Sequence, residues 1–120
     1  MVVDTSALIA ILLQEEDARG YADAIAGAEV AALSAASYVE LAIVSLSRGA
    51  HGRAELEAML ADGAIEIVPV TLDQARVAAG AYERYGKGRH PAALNFGDCF
   101  AYALAMARGE PLLFKGPISV

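Results

Sequence analysis

The sequence predicts an α/β domain in three layers, α/β/α, with a mostly parallel central sheet. Two observations carry that expectation. Short, continuously apolar segments recur along the chain, and between them lie longer stretches with helical start and stop signals. Strands lacking polar alternation are what a parallel sheet needs when helices cover both of its faces.

Taken in order, Met1-Val2-Val3 reads as a buried strand that breaks at Asp4-Thr5-Ser6 into a helix over Ala7 to Leu13. A second helix is expected from Glu16 to Ala26, stopped by Gly27. Val30 to Leu33 forms the second strand, followed by a serine-rich helix start at Ser34 to Ser37. That helix runs to Arg48, carries Val39, Ile43 and Leu46 at helical spacing, and ends at Gly49. Arg53 to Ala61 makes a further helix, and Ile65 to Val68 the third strand, closed by Pro69. Thr71 and Gln74 have capping-box spacing, and their helix extends to Tyr85. A loop from Tyr85 to Leu94 then leads to a last helix from about Asp98 to Ala107, and Gly109-Glu110-Pro111 turns into a fourth strand, Leu112-Leu113-Phe114.

Composition bounds what such a chain can do. Its 120 residues make one domain, 1–120, with no repeat or linker. An apolar share of 57% against 20% charged excludes a disordered chain, although 27 of the residues are alanines that add little core volume. The net charge of −6 tells against wrapping nucleic acid by bulk attraction, but an acidic protein can still approach phosphate through a cation. The longest apolar run, Ala7 to Leu13, is far short of the roughly 20 residues that span a bilayer. A single cysteine, Cys99, and no signal peptide point to a cytoplasmic protein. His51 and His90 have no zinc-ligand spacing.

Chemistry in a parallel sheet belongs beyond the carboxyl ends of the strands. Asp4 closes the first strand, Glu40 sits in the first turns of the helix after the second, and Asp98 opens the last helix. The topology can bring these three acids to one rim. Each also fits a purely structural role: Asp4 as an N-cap, Ser37-x-x-Glu40 as a capping box, Asp98 as a cap. If they do meet, electrostatics constrains what accompanies them. Two carboxylates about 4 Å apart repel by ~4 kcal/mol at an effective dielectric near 20. A cation would relieve that repulsion, and oxygen-only ligands favour Mg²⁺ or Mn²⁺. Phosphodiester hydrolysis is the chemistry such a site serves best.

Three segments carry a family resemblance. Val3-Asp4-Thr5-Ser6-Ala7-Leu8, Ser34-Ala35-Ala36-Ser37-Tyr38-Val39-Glu40, and Tyr85 to His90 continuing through Leu94-Asn95-Phe96-Gly97-Asp98-Cys99-Phe100 resemble the motifs of PIN-domain ribonucleases, specifically VapC-type toxins. Leu112-Leu113-Phe114-Lys115-Gly116 is similar to one VapC-like branch. The resemblance implies a Mg²⁺-dependent endoribonuclease, with Mn²⁺ able to substitute. Asp4 and Asp98 would be the principal metal ligands, and Glu40 would complete the acidic cluster. It also implies that Ser6 supports the first Asp, that a VapB-like antitoxin covers the cleft with its C-terminal segment, and that the toxin pairs into a homodimer. One departure stands out. No acid follows Glu110, so the family's fourth acid has no counterpart, which leaves a weakly catalytic PIN-like module binding antitoxin or RNA as the alternative. The altered tail also implies an incomplete C-terminal sheet edge.

Other residues divide between function and packing. Lys87 and Arg89, on either side of Gly88, are candidate RNA-backbone contacts within the basic segment from Arg84 to His90, or simply a solvated loop. Asn95 is expected to cap or orient the Asp98 loop. Tyr82 and Tyr85 could stack bases but fit core-edge packing better, and Cys99 fits a small buried apolar residue. Glu15, Glu16 and Asp17 suit a helix N-terminus.

Overall fold

The computed structural model describes residues 1–115. Four parallel strands, β1 (Val2–Val3), β2 (Ala32–Ser34), β3 (Glu66–Val68) and β4 (Leu112–Leu113), form a sheet in the order β3-β2-β1-β4. Val2 pairs with Ala32 on one side and Leu112 on the other, and Leu33 pairs with Ile67. Six α-helices accompany them: α1 (Thr5–Leu12), α2 (Ala18–Gly27), α3 (Ala35–Ser45), α4 (Gly52–Asp62), α5 (Leu72–Tyr85) and α6 (Phe96–Arg108). A short 3₁₀ turn, Leu46–Arg48, extends α3.

Strand periodicity sorts the layers. Val3 and Leu33 point into a core shared with Leu8 of α1, Ile25 of α2, Leu41 of α3 and Leu56 and Leu60 of α4. Their neighbours Val2 and Ala32 point the opposite way, against Leu104 and Ala105 of α6. Helix α5 packs outside α6 through Ala78, Ala81, Cys99 and Ala103. Helices therefore lie on both faces, which is why the strands are apolar without alternation. The expected three-layer fold is observed.

The strand order matters for function. From β1 the chain moves outward to β2 and β3, then crosses back over the opposite face through α6 to place β4 on the other side of β1. The order reverses between β1 and β4, and the carboxyl ends of strands at such a switch point are where parallel sheets generally bind ligands. Asp4 lies at that point, its N–H donating to the Leu113 carbonyl at 2.9 Å.

Several boundaries differ from expectation. Helix α1 begins at Thr5 because Asp4 caps it, and α6 begins at Phe96 because Asn95, not Asp98, is its N-cap. The cap of α3 is Ser34, whose hydroxyl accepts from the Ala36 N–H at 3.3 Å, so Ser37 and Glu40 form no capping box. Strand β2 starts at Ala32, later than the apolar run suggests. The stripe of Val39, Ile43 and Leu46 faces outward, at 56, 63 and 69% exposure; α3 instead buries Ser37, Leu41 and Ser45. Two small serines allow close approach, whereas the branched side chains remain at the surface. Strand β4 is an edge strand among the described residues. The departure beyond Lys115, including the missing fourth acid, lies outside the described residues.

Two glycines should respond oppositely to alanine. A Cβ at Gly52 would collide with the carbonyl oxygen of Ser45, whereas one at Gly80, within α5, meets nothing. Gly80→Ala is expected to raise stability by about 0.5–1 kcal/mol through helix propensity and chain entropy. Gly52→Ala is expected to lower it by more than 1 kcal/mol, in the range of overpacked sites. Urea denaturation of the two variants checks both signs.

Candidate active site

The site is built around the first turn of α1. Asp4 is extended (φ −79°, ψ 154°), and its carboxylate accepts from the Ser6 N–H at 2.9 Å through Oδ2, the geometry of an N-cap. The cap sits in an unusual place, because Asp4 is fully buried and its second oxygen, Oδ1, has no hydrogen-bond partner among the described residues. Burial pushes the Asp4 carboxyl up to about 6, against the stabilising bonds from Ser6, and the negative charges of Asp98 and Glu40 push it further in the same direction. The three acids predicted from sequence are therefore electrostatic neighbours.

Each residue of the Asp-Thr-Ser triplet has a separate task. While Asp4 caps α1, Thr5 donates its hydroxyl to Glu40 Oε1 at 3.1 Å, tying α3 to the turn. Ser6 accepts the Lys115 N–H on Oγ at 3.0 Å, tying in the segment after β4. Ser6 thus supports Asp4 twice, through its own N–H and by anchoring the neighbouring chain.

Asp98 enters from the opposite layer. It occupies the first turn of α6, where Asn95 Oδ1 accepts from the Asp98 N–H at 2.8 Å and Asp98 Oδ2 accepts from the Asn95 N–H at 3.0 Å. Both halves of a capping box are present, so Asn95 orients Asp98 as expected. Partial burial raises the Asp98 carboxyl above its ordinary range, opposed by the Asn95 bond. Between these residues lies Gly97, where a Cβ would collide with the Glu40 carboxylate. Any side chain at this position would push the Glu40 carboxylate out of its present place.

The donors are all oxygen, and one of them is a buried, unpartnered carboxylate oxygen beside two further acids. That chemistry fits a hard divalent cation. Among the described residues no three His, Cys, Asp or Glu side chains stand close enough together to hold a metal ion between them as they are placed. Mg²⁺ keeps several waters and needs only one or two carboxylates, so a cation there would not require all three acids as ligands.

The flanking loop is ordered by its backbone. Lys87 N–H donates to the Leu94 carbonyl at 2.8 Å and Leu94 N–H to the Tyr85 carbonyl at 2.9 Å. Lys87 and Arg89 are exposed, and neither side chain makes an ion pair among the described residues. His90 is committed to structure: Nδ1 accepts from the Ala92 N–H at 2.9 Å and the ring meets Tyr85 edge-on at 5.2 Å. Tyr85 also packs near Tyr102, and Cys99 is buried with Sγ donating to the Asn95 carbonyl at 3.2 Å. Glu15 and Asp17 do more than face a helix end, because both bind Lys115 Nζ, at 2.5 and 3.3 Å.

Sequence reasoning missed the roles of Thr5, Gly97 and Lys115. Thr5 stood inside a recognised motif but faced no visible partner, since Glu40 is 35 residues away. Gly97 and Lys115 act through close approach and a backbone N–H, which leave no signature in composition or spacing.

Comparison with known proteins agrees with the geometry. The model of the PIN domain family matches residues 1–117. The chain is 55% identical over 117 residues to Ribonuclease VapC of Mycolicibacterium smegmatis, covering 97% of this chain and 91% of that protein. It is 53% identical over 118 residues to Ribonuclease VapC28 of Mycobacterium tuberculosis, covering 97% and 89%. Among solved structures it is similar to the sarcin–ricin-loop-cleaving toxin VapC20 of Mycobacterium tuberculosis, with a TM-score of 0.75 at 19% identity over 98% of this chain and 91% of that one. A toxin–antitoxin complex from Klebsiella pneumoniae gives a TM-score of 0.70 at 17% identity, covering 96% and 85%. At such identities the two structures speak for the fold alone; the sequence relatives carry the family. The chain belongs to the PIN-domain family and, within it, to the VapC ribonucleases, the toxins of toxin–antitoxin systems.

Proposed function

We propose that Asp4, Glu40 and Asp98 form the catalytic centre of a Mg²⁺-dependent endoribonuclease, with Mn²⁺ as a working substitute. One observation carries the assignment: the fully buried Asp4 carboxylate keeps one oxygen without a partner while two other acids raise the cost of its charge. Metal dependence is general in this family, and a divalent cation bound here would neutralise a phosphate and acidify water.

The side chains divide the work. Asp4 and Asp98 would hold the cation, while the Ser6 and Asn95 N–H groups steady their Oδ2 atoms. Glu40 is fixed through Oε1 by Thr5, and its second oxygen orients the attacking water and takes its proton. Ser6 and Asn95 position the two aspartates. Lys87 and Arg89 offer cations to the RNA backbone beside an otherwise acidic cleft.

Partners follow from the surface. A VapB-like antitoxin is the proposed partner, its C-terminal segment covering the cleft; the Klebsiella pneumoniae structural neighbour was solved as a toxin–antitoxin complex. A second support is an apolar groove of about 820 Å³ between α1, α2 and α4, floored by Leu8, Ile11, Ile25 and Met59 and rimmed by Arg48 and Glu55. Such a groove suits an amphipathic helix. We assign the outward stripe of α3 to a homodimer contact, because three branched or long apolar side chains in line are costly to leave in water. Among the described residues no helix is long and apolar enough to cross a membrane, and the free thiol of Cys99 suits a cytoplasmic setting.

Three outcomes test this assignment. First, Asp4→Asn is expected to reduce Mg²⁺-dependent cleavage of single-stranded RNA by at least about 100-fold, a loss of ~2.7 kcal/mol in transition-state stabilisation. Chelation should abolish cleavage by the native protein, and persistence after either treatment rejects the mechanism. Second, the buried charge has a stability signature. Because folding raises the Asp4 pKa from 3.8 to about 6, its contribution to stability is complete below pH 3.8 and is lost as pH rises through about 6. In chelator at neutral pH, Asp4→Asn should therefore be more stable than native by about 1–3 kcal/mol, with the gap closing in acid. Added Mg²⁺ should raise the melting temperature of the native protein and leave that of Asp4→Asn unchanged, and the native response should fade as pH falls below about 6. Third, Ile43→Glu should convert a sedimenting dimer to monomer without loss of helicity.

A further inference from the structure

We propose that Phe96 is a stacking platform for a base of the RNA strand whose phosphate lies at the acidic cluster. This rests on the assignment of hydrolysis to Asp4, Glu40 and Asp98.

Phe96 is the most exposed large apolar side chain among the described residues, at 77%. Nothing in its neighbourhood requires an exposed phenyl ring. It occupies the first position of α6, where a small or charged residue would serve the helix better, and Asn95 already completes the cap. Its place relative to the site is fixed on both sides. The next residue, Gly97, lies against the Glu40 carboxylate, and the one after is Asp98. Two residues span at most about 7 Å of chain, and successive helix positions turn by about 100°, so Phe96 flanks Gly97 on the side away from Asp98, within reach of a base whose phosphate lies at the acids.

The ring is also steadied without being covered. Phe100, one turn along α6, meets it edge-on, with ring centroids 4.9 Å apart and planes at 74°. A pre-set ring loses little freedom when a base arrives. Lys87, the proposed phosphate contact, belongs to the loop that leads into α6, because its N–H donates to the Leu94 carbonyl, two residues before Phe96. A cation for the backbone, an aromatic face for the base and an acid cluster for the scissile phosphate are the parts of a single-strand site. Phenylalanine offers no directional hydrogen bond, so the platform favours an unpaired nucleotide over a particular base. The ring thus selects for single-stranded or looped RNA, whose bases can leave the stack.

The test uses the full chain with Phe96→Ala, Phe96→Trp and Asp4→Asn, and a short fluorescein-labelled single-stranded RNA of mixed sequence. Phe96→Ala is expected to lower kcat/KM by about 10-fold, carried by KM, and to weaken RNA binding by the same factor in anisotropy; Phe96→Trp should restore both. Placing an abasic nucleotide at one position next to the cleavage point should cost the native protein that factor and cost Phe96→Ala nothing more. The Mg²⁺-dependent rise in melting temperature should be the same in Phe96→Ala as in native. Unchanged KM and binding in Phe96→Ala overturn the proposal. So does a loss that tryptophan fails to rescue, or a shift from dimer to monomer on sedimentation, which would make the ring a protein contact. If Asp4→Asn cleaves normally while the Phe96 variants still lose binding, the acidic-centre assignment fails and Phe96 remains an RNA contact.

Discussion

A carboxylate buried at the point where the sheet reverses its strand order is the constraint on which the rest of the site depends. Asp4 stands between β1 and β4, and its charge has been taken out of water with only partial compensation. Ser6 satisfies one oxygen; the other has no partner among the described residues. Ordinary folding pressure would remove such a group or pair it, since isolated buried charges are expensive. In the proposed centre a cation would offset that charge, and Glu40 and Asp98 add to the negative potential around it.

Supplying that position takes elements from both helical layers. Helix α1 provides Asp4, helix α3 on the same face provides Glu40, and α6 on the opposite face provides Asp98. The Thr5–Glu40 and Ser6–Lys115 bonds stitch α3 and the post-β4 segment to one turn of helix. Gly97 does the equivalent work by absence, letting α6 close on Glu40. Most of these bonds take a backbone N–H as donor, which limits how far the side chains can turn. Rigidity matters for electrostatic catalysis, in which groups aimed before the reaction need not reorganise during it.

Much of this was legible in the sequence, for identifiable reasons. Apolar runs such as Val2-Val3 and Ala32-Leu33 betray a sheet covered on both faces, and Thr71-x-x-Gln74 marks a helix start that the structure reproduces, with Thr71 accepting from the Gln74 N–H at 3.1 Å. The three acids could be nominated because topology alone brings post-strand helix starts to one rim. What stayed hidden depended on orientation. Val39, Ile43 and Leu46 have the right spacing for a core face yet lie outside, because spacing defines a stripe without saying which way it turns. The Ser37–Glu40 box failed because Ser34, three residues earlier, makes an equally good cap and sits directly at the strand end. Lys115 was invisible because its partners, Glu15 and Asp17, are about a hundred residues away and looked complete as helix-terminal acids.

Structural and catalytic roles for the acids looked like alternatives in the sequence, and the geometry removes the conflict. A carboxylate has two oxygens with several lone pairs, so one can cap a helix while the other faces a cleft. Asp4 gives Oδ2 to α1, Asp98 gives Oδ2 to Asn95, and Glu40 gives Oε1 to Thr5. Each bond removes the freedom of its side chain to rotate away from its neighbours, and each keeps one oxygen for other work. Three like charges would otherwise splay apart, because their mutual repulsion exceeds what side-chain packing alone resists. In the proposed centre these bonds would hold the three carboxylates in place for a cation. An isolated acid at a helix start is weak evidence for catalysis; the proposed centre rests instead on two capping aspartates and a tethered glutamate that share one region, with one Asp4 oxygen buried and unpaired among the described residues.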